Sequence, residues 1–294
     1  MESFALFLLF VAFALCGCNQ QKRLPESIGQ PYEVVLEGDT DSVVTRMLTA
    51  DVPALPQSEP MFSIIQVKKG KLGGSYLLVR TRITVDVNPR HAGYAVKKST
   101  DEKAAPQLIL RIQARSVEEL RKHLDGEKLR KLIDRSELQN LASRIHRNDT
   151  MQAKVKHIFG IEMKVPLDMN ASKQGKDFLW ISNNANTGMQ SLLFMRVKGK
   201  ERNAKKTSGC LQQTVDSILR KNMPGETDSM YMVVPRLAER GLWEMKGDAM
   251  GGPYVMKTAV RKNEEIIVIG FVYAPEMKKR NLIKQLEAAL TTVK

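Results

Sequence analysis

The sequence predicts an α+β protein of two similar halves, each running β-α-β-β-β-α with helices packed on mainly antiparallel sheets. Three observations lead there. Beyond residue 30, short β-branched or apolar runs alternate with amphipathic stretches. Leu72-Gly73-Gly74-Ser75-Tyr76 and Met250-Gly251-Gly252-Pro253-Tyr254 stand at matching places. An aromatic (Phe62, Trp243) precedes each, and two long strands and an amphipathic helix follow. Finally, 294 residues at 43% hydrophobic content suit one large domain or two small ones. An internal duplication explains the paired Gly-Gly segments. So do two unrelated tight turns, because glycine is the default turn residue.

In the first half, Tyr32–Leu36 reads as a strand, and Asp41–Thr49 as a helix with Val43, Val44, Met47 and Leu48 inward. Pro53, Pro56 and Pro60 force an extended connection. Met61–Val67, Tyr76–Val87 and Gln107–Gln113 are the next strands, with Asn88–Pro106 a long exposed hairpin loop between the last two. Ser116-Val117-Glu118-Glu119 fits a capping box at a helix start. That helix breaks at Gly126 and restarts at Ser136, where Leu138, Leu141 and Ile145 keep helical spacing.

In the second half, strands are expected at Ile161–Val165, Phe178–Ser182, Gln190–Val197, Met230–Val234, Tyr254–Lys262 and Glu265–Ala274. Cys210–Lys221 reads as a helix closed by Pro224-Gly225. A last helix runs from Pro275 to about Val293 with Leu282, Ile283, Leu286 and Leu290 inward. The domain plan is a signal at 1–17, a polar tether at 18–30, and halves at 31–147 and 148–294.

The N-terminus supplies an address. Its apolar run, Phe4 to Leu15, is too short for a bilayer span of roughly 20 residues but fits the core of an export signal. Leu15-Cys16-Gly17-Cys18 resembles the lipobox of bacterial lipoproteins, which implies cleavage before Cys18 and acylation of that cysteine. The acidic Met1-Glu2 start and Cys16 depart from the usual pattern. More than one acyl chain gives lasting membrane attachment. Asn19 rather than Asp after the cysteine points to the outer membrane, with the body facing the periplasm. Cleavage removes one acid, Glu2, and no base, so the net charge rises from +14 to +15. It also leaves Cys210 as the one free thiol, so no internal disulfide forms and Cys210 reads as a buried structural thiol.

A family resemblance lies in the later sequence. It is carried by His157-Ile158-Phe159-Gly160-Ile161, Phe178-Leu179-Trp180-Ile181-Ser182 and Asn222-Met223-Pro224-Gly225. Arg240-Gly241-Leu242-Trp243 through Gly251-Gly252-Pro253, and Gly270-Phe271-Val272-Tyr273-Ala274-Pro275, complete it. Together these resemble an uncharacterised family of bacterial envelope lipoproteins, a domain of unknown function. The resemblance implies an envelope lipoprotein and brings no catalytic residues with it.

Candidate sites are few. His91, His123, His146 and His157 have neither metal-ligand spacing nor a cysteine pair beside them, so no metal and no cofactor is expected. No nucleophile elbow or catalytic set is present, so a non-enzyme is expected. Gly247-Asp248-Ala249-Met250-Gly251-Gly252 lacks the Lys-Ser/Thr of a phosphate loop and leads into a strand. It reads as a turn packing Trp243 beside Tyr254, or as a ligand-contacting loop of Trp243, Asp248, Gly251, Gly252 and Tyr254. Arg196, Lys198, Lys200, Arg202, Lys205 and Lys206 form a basic patch, and Lys68, Lys69 and Lys71 a second. After export the natural partner for such charge is an anionic envelope component or an envelope protein, not nucleic acid. A solvated surface with no partner is the plain alternative.

Three functions are therefore expected to compete. One is a non-catalytic, membrane-anchored binding or scaffolding protein. A solute-binding module with a groove between the halves is another. The third is an envelope hydrolase in which Asp248, Glu244 and His157 converge.

Overall fold

The computed structural model describes residues 23–198, 208–227, 229–261 and 264–294. Cys18, Lys200, Arg202, Lys205 and Lys206, and the side chains of Lys198 and Cys210, lie outside the described part. The α+β class holds, with two sheets, and seven of the ten strand pairings are antiparallel.

The first sheet contains β1 (Glu33–Glu37), β2 (Ser63–Val67), β3 (Thr81–Val87), β4 (Ala95–Thr100) and β5 (Leu108–Ala114), in the order β2-β1-β3-β5-β4. β1 runs parallel to β2 and β3, and β3 parallel to β5, while β4 opposes β5. Side chains alternate across the pleat. Val34, Leu36, Ile83, Val85, Leu108, Leu110 and Ile112 thus form one core. It lies beneath α1 (Val43–Leu48), α2 (Val117–His123) and α3 (Gly126–Ser143). On the other face, Val35, Arg82 and Ile109 stand in register and are buried. The 68–79 segment is tied to this face: Arg82 and Gln107 donate to the Leu77 carbonyl, and Glu37 accepts from Gly70 and Leu72 N–H.

The second sheet contains β6 (Ala171–Gly175), β7 (Phe178–Ser182), β8 (Met189–Lys198), β9 (Tyr231–Val233), β10 (Arg240–Lys246), β11 (Gly251–Arg261) and β12 (Glu264–Tyr273). Its order is β6-β7-β8-β12-β11-β10-β9, antiparallel throughout. Both faces are covered, which explains the unbroken apolar run Ile266–Ile269. Leu192, Phe194, Ile266 and Val268 meet α4 (Asp149–Phe159) and α6 (Arg280–Thr291). Leu193, Met195, Ile267 and Ile269 meet Val215 and Leu219 of α5 (Ser208–Asn222).

The two halves are not copies. The first is a mixed, largely parallel sheet and the second an antiparallel one. Gly73-Gly74 opens a 3₁₀ turn (Gly74–Leu78), whereas Gly251-Gly252 begins β11. The strand expected from Tyr76 accordingly starts only at Thr81. The loop expected at 88–106 holds β4, an exposed edge strand whose Lys97-Lys98-Ser99 run hides its period. Asp125 accepts from the N–H groups of Glu127 and Lys128, at 3.0 Å each, and so starts α3 at Gly126 rather than Ser136. The Ser116 cap forms as expected, with Glu119 N–H donating to its hydroxyl (3.2 Å), but the Glu119 carboxylate accepts from Arg115 N–H instead.

Asn148 caps α4, an unpredicted helix ended by Gly160 in the left-handed region. Ile161–Val165 joins no sheet. Its alternate residues Ile161, Met163 and Val165 are buried in the second core, and its backbone pairs with Thr292 and Lys294. β6 and β10 were also unpredicted, and the last helix begins at Arg280 rather than Pro275. The tether expected over 18–30 is bound to the body from Pro25 onward: Ala105 N–H donates to the Pro25 carbonyl and Ser27 N–H to that of Ala105.

Candidate functional site

Four of the five residues expected to contact a ligand meet in one place. Trp243, Asp248, Gly251 and Gly252 line an open depression of about 510 Å³ together with Pro56, Gln57, Glu244, Tyr273, Pro275 and Lys279. Tyr254 does not line it. Its ring is buried in the core, and its hydroxyl donates to the Arg236 carbonyl and accepts from Ala238 N–H.

Trp243 is likewise a core residue. Its indole N–H donates to the Val272 carbonyl (3.1 Å), and its ring lies edge-on to Phe271 and Tyr273. In the sheet register it stands opposite Gly252. A Cβ at Gly252 would come within 2.1 Å of the Val272 carbonyl oxygen and 3.1 Å of the indole nitrogen. The Gly-Gly pair thus makes room for tryptophan and neighbouring backbone. Asp248 sits exposed in the β10–β11 turn, with its carboxylate accepting from Ala249 N–H.

The hydrolase constellation is not assembled. Glu244 and Asp248 share the depression, but His157 is exposed on α4, a helix packed on the sheet face opposite Trp243. The other histidines are also dispersed: His91 bonds Asp86 (2.8 Å), and His123 stacks on Tyr94. Among the described residues, no group of three or more His, Cys, Asp or Glu is arranged for a metal.

Of the basic patch, Arg196 is the member whose side chain is described, and it is not a free cation. It pairs with Glu264 (3.0 Å) and Asp177 (3.7 Å), donates to the Ile158 carbonyl, and lies over the Phe159 ring. In the second cluster Lys69 is paired with Asp86. That ammonium, hydrogen-bonded to the carboxylate, pulls the Asp86 pKa below its ordinary value.

Sequence reasoning missed the polar network that joins the halves. Lys284 on α6 is 1% exposed, and its ammonium reaches Asp134 on α3 (2.6 Å) and Glu287 (3.0 Å). Asp134 also accepts from the Tyr32 hydroxyl at 2.7 Å. Burial, with the Asp134 carboxylate beside it, pushes the Tyr32 phenol pKa well up. Glu137, one turn further along α3, accepts from Tyr32 N–H (3.2 Å) and the Thr81 hydroxyl (2.9 Å), and faces Arg80 at 3.6 Å.

Tyr32 itself has φ +61, a left-handed backbone that costs a non-glycine residue about 1–3 kcal/mol. Its bonds to Asp134 and Glu137 and its stacking on Phe62 hold it there. No local sequence pattern marks these groups. The signal available was ionisable residues at inward helical positions, Lys284 beside Ile283 and Leu286, and Glu137 four residues after Ile133.

Between the halves lies a second cleft of about 560 Å³. Leu141, Ile145, Pro166 and Leu167 give it an apolar wall, and Arg144, His146, Asp168, Gln190 and Gln285 its polar groups. The Gln190 amide is held by the Leu282 carbonyl (2.9 Å) and Gln285 (3.1 Å). Arg144 is engaged by Glu26 (3.2 Å) and Ser27 (3.1 Å). An apolar wall with a few fixed polar groups is the make-up of a small-molecule pocket.

Two family models match the chain. One, described as Domain of unknown function (DUF8532), covers residues 27–146, and the other, Domain of unknown function (DUF4837), covers residues 148–292. No curated protein matches it.

Proposed function

We propose that this chain, whose two halves match models of two domains of unknown function, is a non-catalytic binding or scaffolding protein of the cell envelope, held to a membrane by acylated Cys18. One observation carries the non-catalytic part. Among the described residues, the ionisable groups that the fold buries most deeply are spent on each other and on backbone, within the first half and across the junction with the second. Lys284 binds Asp134 and Glu287, and Glu137 binds Tyr32, Thr81 and Arg80. Glu59 binds the N–H groups of Lys279 and Arg280. A catalytic site needs such groups facing a cleft with capacity left for substrate. The lipobox-like Leu15-Cys16-Gly17-Cys18 supports the anchor.

Crosslinking and capture from intact cells, comparing the native protein with Cys18→Ser, tests the reading. A specific envelope partner enriched with the native protein and lost with the variant is expected. The same background from both overturns it.

The cleft between the halves favours a second reading, a solute-binding module. Its apolar wall and fixed Gln190 amide point to a small amphipathic ligand. A thermal-shift screen of peptides, glycans and lipids separates the two, because a ligand in excess over its Kd raises apparent stability. A hit lost on Leu141→Asp supports the solute-binding reading.

A further inference from the structure

Cys18 and Arg23 are five positions apart, a stretch of chain that reaches at most about 18 Å. From Pro25 the chain is strapped down. Ala105 N–H donates to the Pro25 carbonyl (2.9 Å), Ile28 N–H to that of Leu78 (3.0 Å), and Arg80 N–H to that of Ile28 (3.2 Å). The Arg80 guanidinium adds the Gly29 carbonyl at 2.6 Å. The strap and its partners lead into β1, β3 and β5, so all lie along the end edge of the first sheet, the rim where its parallel strands begin.

Three large apolar side chains are exposed on this edge: Leu24 (40%), Ile28 (42%) and Tyr76 (39%). Arg23 and Lys103 are exposed beside them, with no ion pair among the described residues. Of the acids nearby, Glu26 pairs with Arg144, Asp101 accepts from Gln107 N–H (2.7 Å) and Glu102 pairs with Arg82 and Arg111, while Glu33 lies against the strap at Gly29.

We propose that this edge is a membrane-facing surface, set against an anionic lipid bilayer. The proposal rests on the acylation of Cys18 in the reading above. Single exposed apolar residues are ordinary on a protein surface. What distinguishes these three is a covalent link to lipid too short to let the edge drift far, which keeps its effective concentration at the bilayer high. Leu24, Ile28 and Tyr76 then enter the headgroup boundary, while Arg23 and Lys103 face lipid phosphates. The body is held in one orientation, with the β3–β4 turn at Arg90 pointing away.

The test uses the acylated protein in vesicles of phosphatidylethanolamine and phosphatidylglycerol. An environment-sensitive fluorophore is placed at Ser75→Cys or at Arg90→Cys, each with Cys210→Ser. The probe at 75 is expected to gain emission several-fold and to resist an aqueous quencher, and the probe at 90 to do neither. Changing Leu24, Ile28 and Tyr76 together to serine is expected to remove most of that protection. Equal quenching of the two probes, or protection unchanged in the triple variant, overturns the proposal. Intact mass reports acylation separately. If acyl chains are missing, a Cys18→Ser protein carrying an N-terminal histidine tag on nickel-chelating lipid still tests the edge, so failure of the anchor and failure of the orientation are told apart.

Discussion

The Glu59 carboxylate caps the helix that begins at Arg280, accepting the N–H of Lys279 at 2.7 Å and that of Arg280 at 3.1 Å, across 220 positions of sequence. The carboxylate is buried and sits where the helix dipole favours negative charge. Arg280 returns the contact by donating to the Pro60 carbonyl (2.9 Å) and the Ser63 hydroxyl (3.1 Å). The proline-rich connection of the first half therefore serves as the N-cap of the last helix of the second.

Glu59→Ala leaves one buried and one part-buried N–H donor without this acceptor. A loss of about 1–3 kcal/mol is expected. Urea unfolding monitored by circular dichroism checks it, and Glu59→Gln, which keeps one acceptor, should fall between.

Lys284→Met removes the cation that Asp134 and Glu287 share, which leaves Asp134 with the Tyr32 hydroxyl alone while Glu287 keeps its pair with Arg240 (2.5 Å). Breaking one partner of a buried ion set typically costs about 3–5 kcal/mol, and both acids retain some solvent, so the lower end is expected. Asp134→Asn combined with Lys284→Met should cost less than the sum of the single changes. A double-mutant cycle in denaturant measures that coupling.

Gly252→Ala and Gly73→Ala separate the two Gly-Gly segments. At Gly252 a methyl group meets the Val272 carbonyl, so β11 must shift and a loss of about 1–3 kcal/mol is expected. Tryptophan emission should change with it, because Trp243 lies against the site. At Gly73 nothing lies within 4 Å, and the effect should stay within about 0.5 kcal/mol.

Glu102 gives a pH test. Hydrogen bonds from Arg111 first, then Ser99, lower its pKa from 4.5 to about 2. A carboxylate depressed in the folded state adds stability that is fully present above its unfolded pKa and is lost as pH falls through the folded one. Its contribution should therefore hold at neutral pH and fade between about pH 4.5 and 2. The gap in denaturation midpoint between native protein and Glu102→Gln, followed over that range, should close as the pH drops.

Local physics made much of the chain legible. Strands at Phe178–Ser182 and Glu264–Tyr273 announce themselves by apolar runs, and the Ser116 cap by its hydroxyl. Polar edge strands such as Ala171–Gly175 and Ala95–Thr100 do not, since one or both of their faces meet water and no apolar period is needed. The Gly-Gly resemblance misled because glycine answers two different demands. It opens a 3₁₀ turn at Gly74, with φ +58, and it yields space to Trp243 and Val272 at Gly252.

By itself, the sequence determined the α+β class and the order of most elements, because periodicity and caps are written in neighbouring residues; the lipobox-like resemblance at its start is local in the same way. Only the tertiary structure decided that the first sheet is largely parallel, that Lys284 meets Asp134, and that Glu59 caps the last helix. It also turned Trp243 and Tyr254 into core residues. These outcomes depend on partners 29 to 220 positions apart, among them Trp243 with Val272 and Glu59 with Lys279. Contacts of that kind are chosen by the closure of the core as a whole, and leave no trace in the residues beside them.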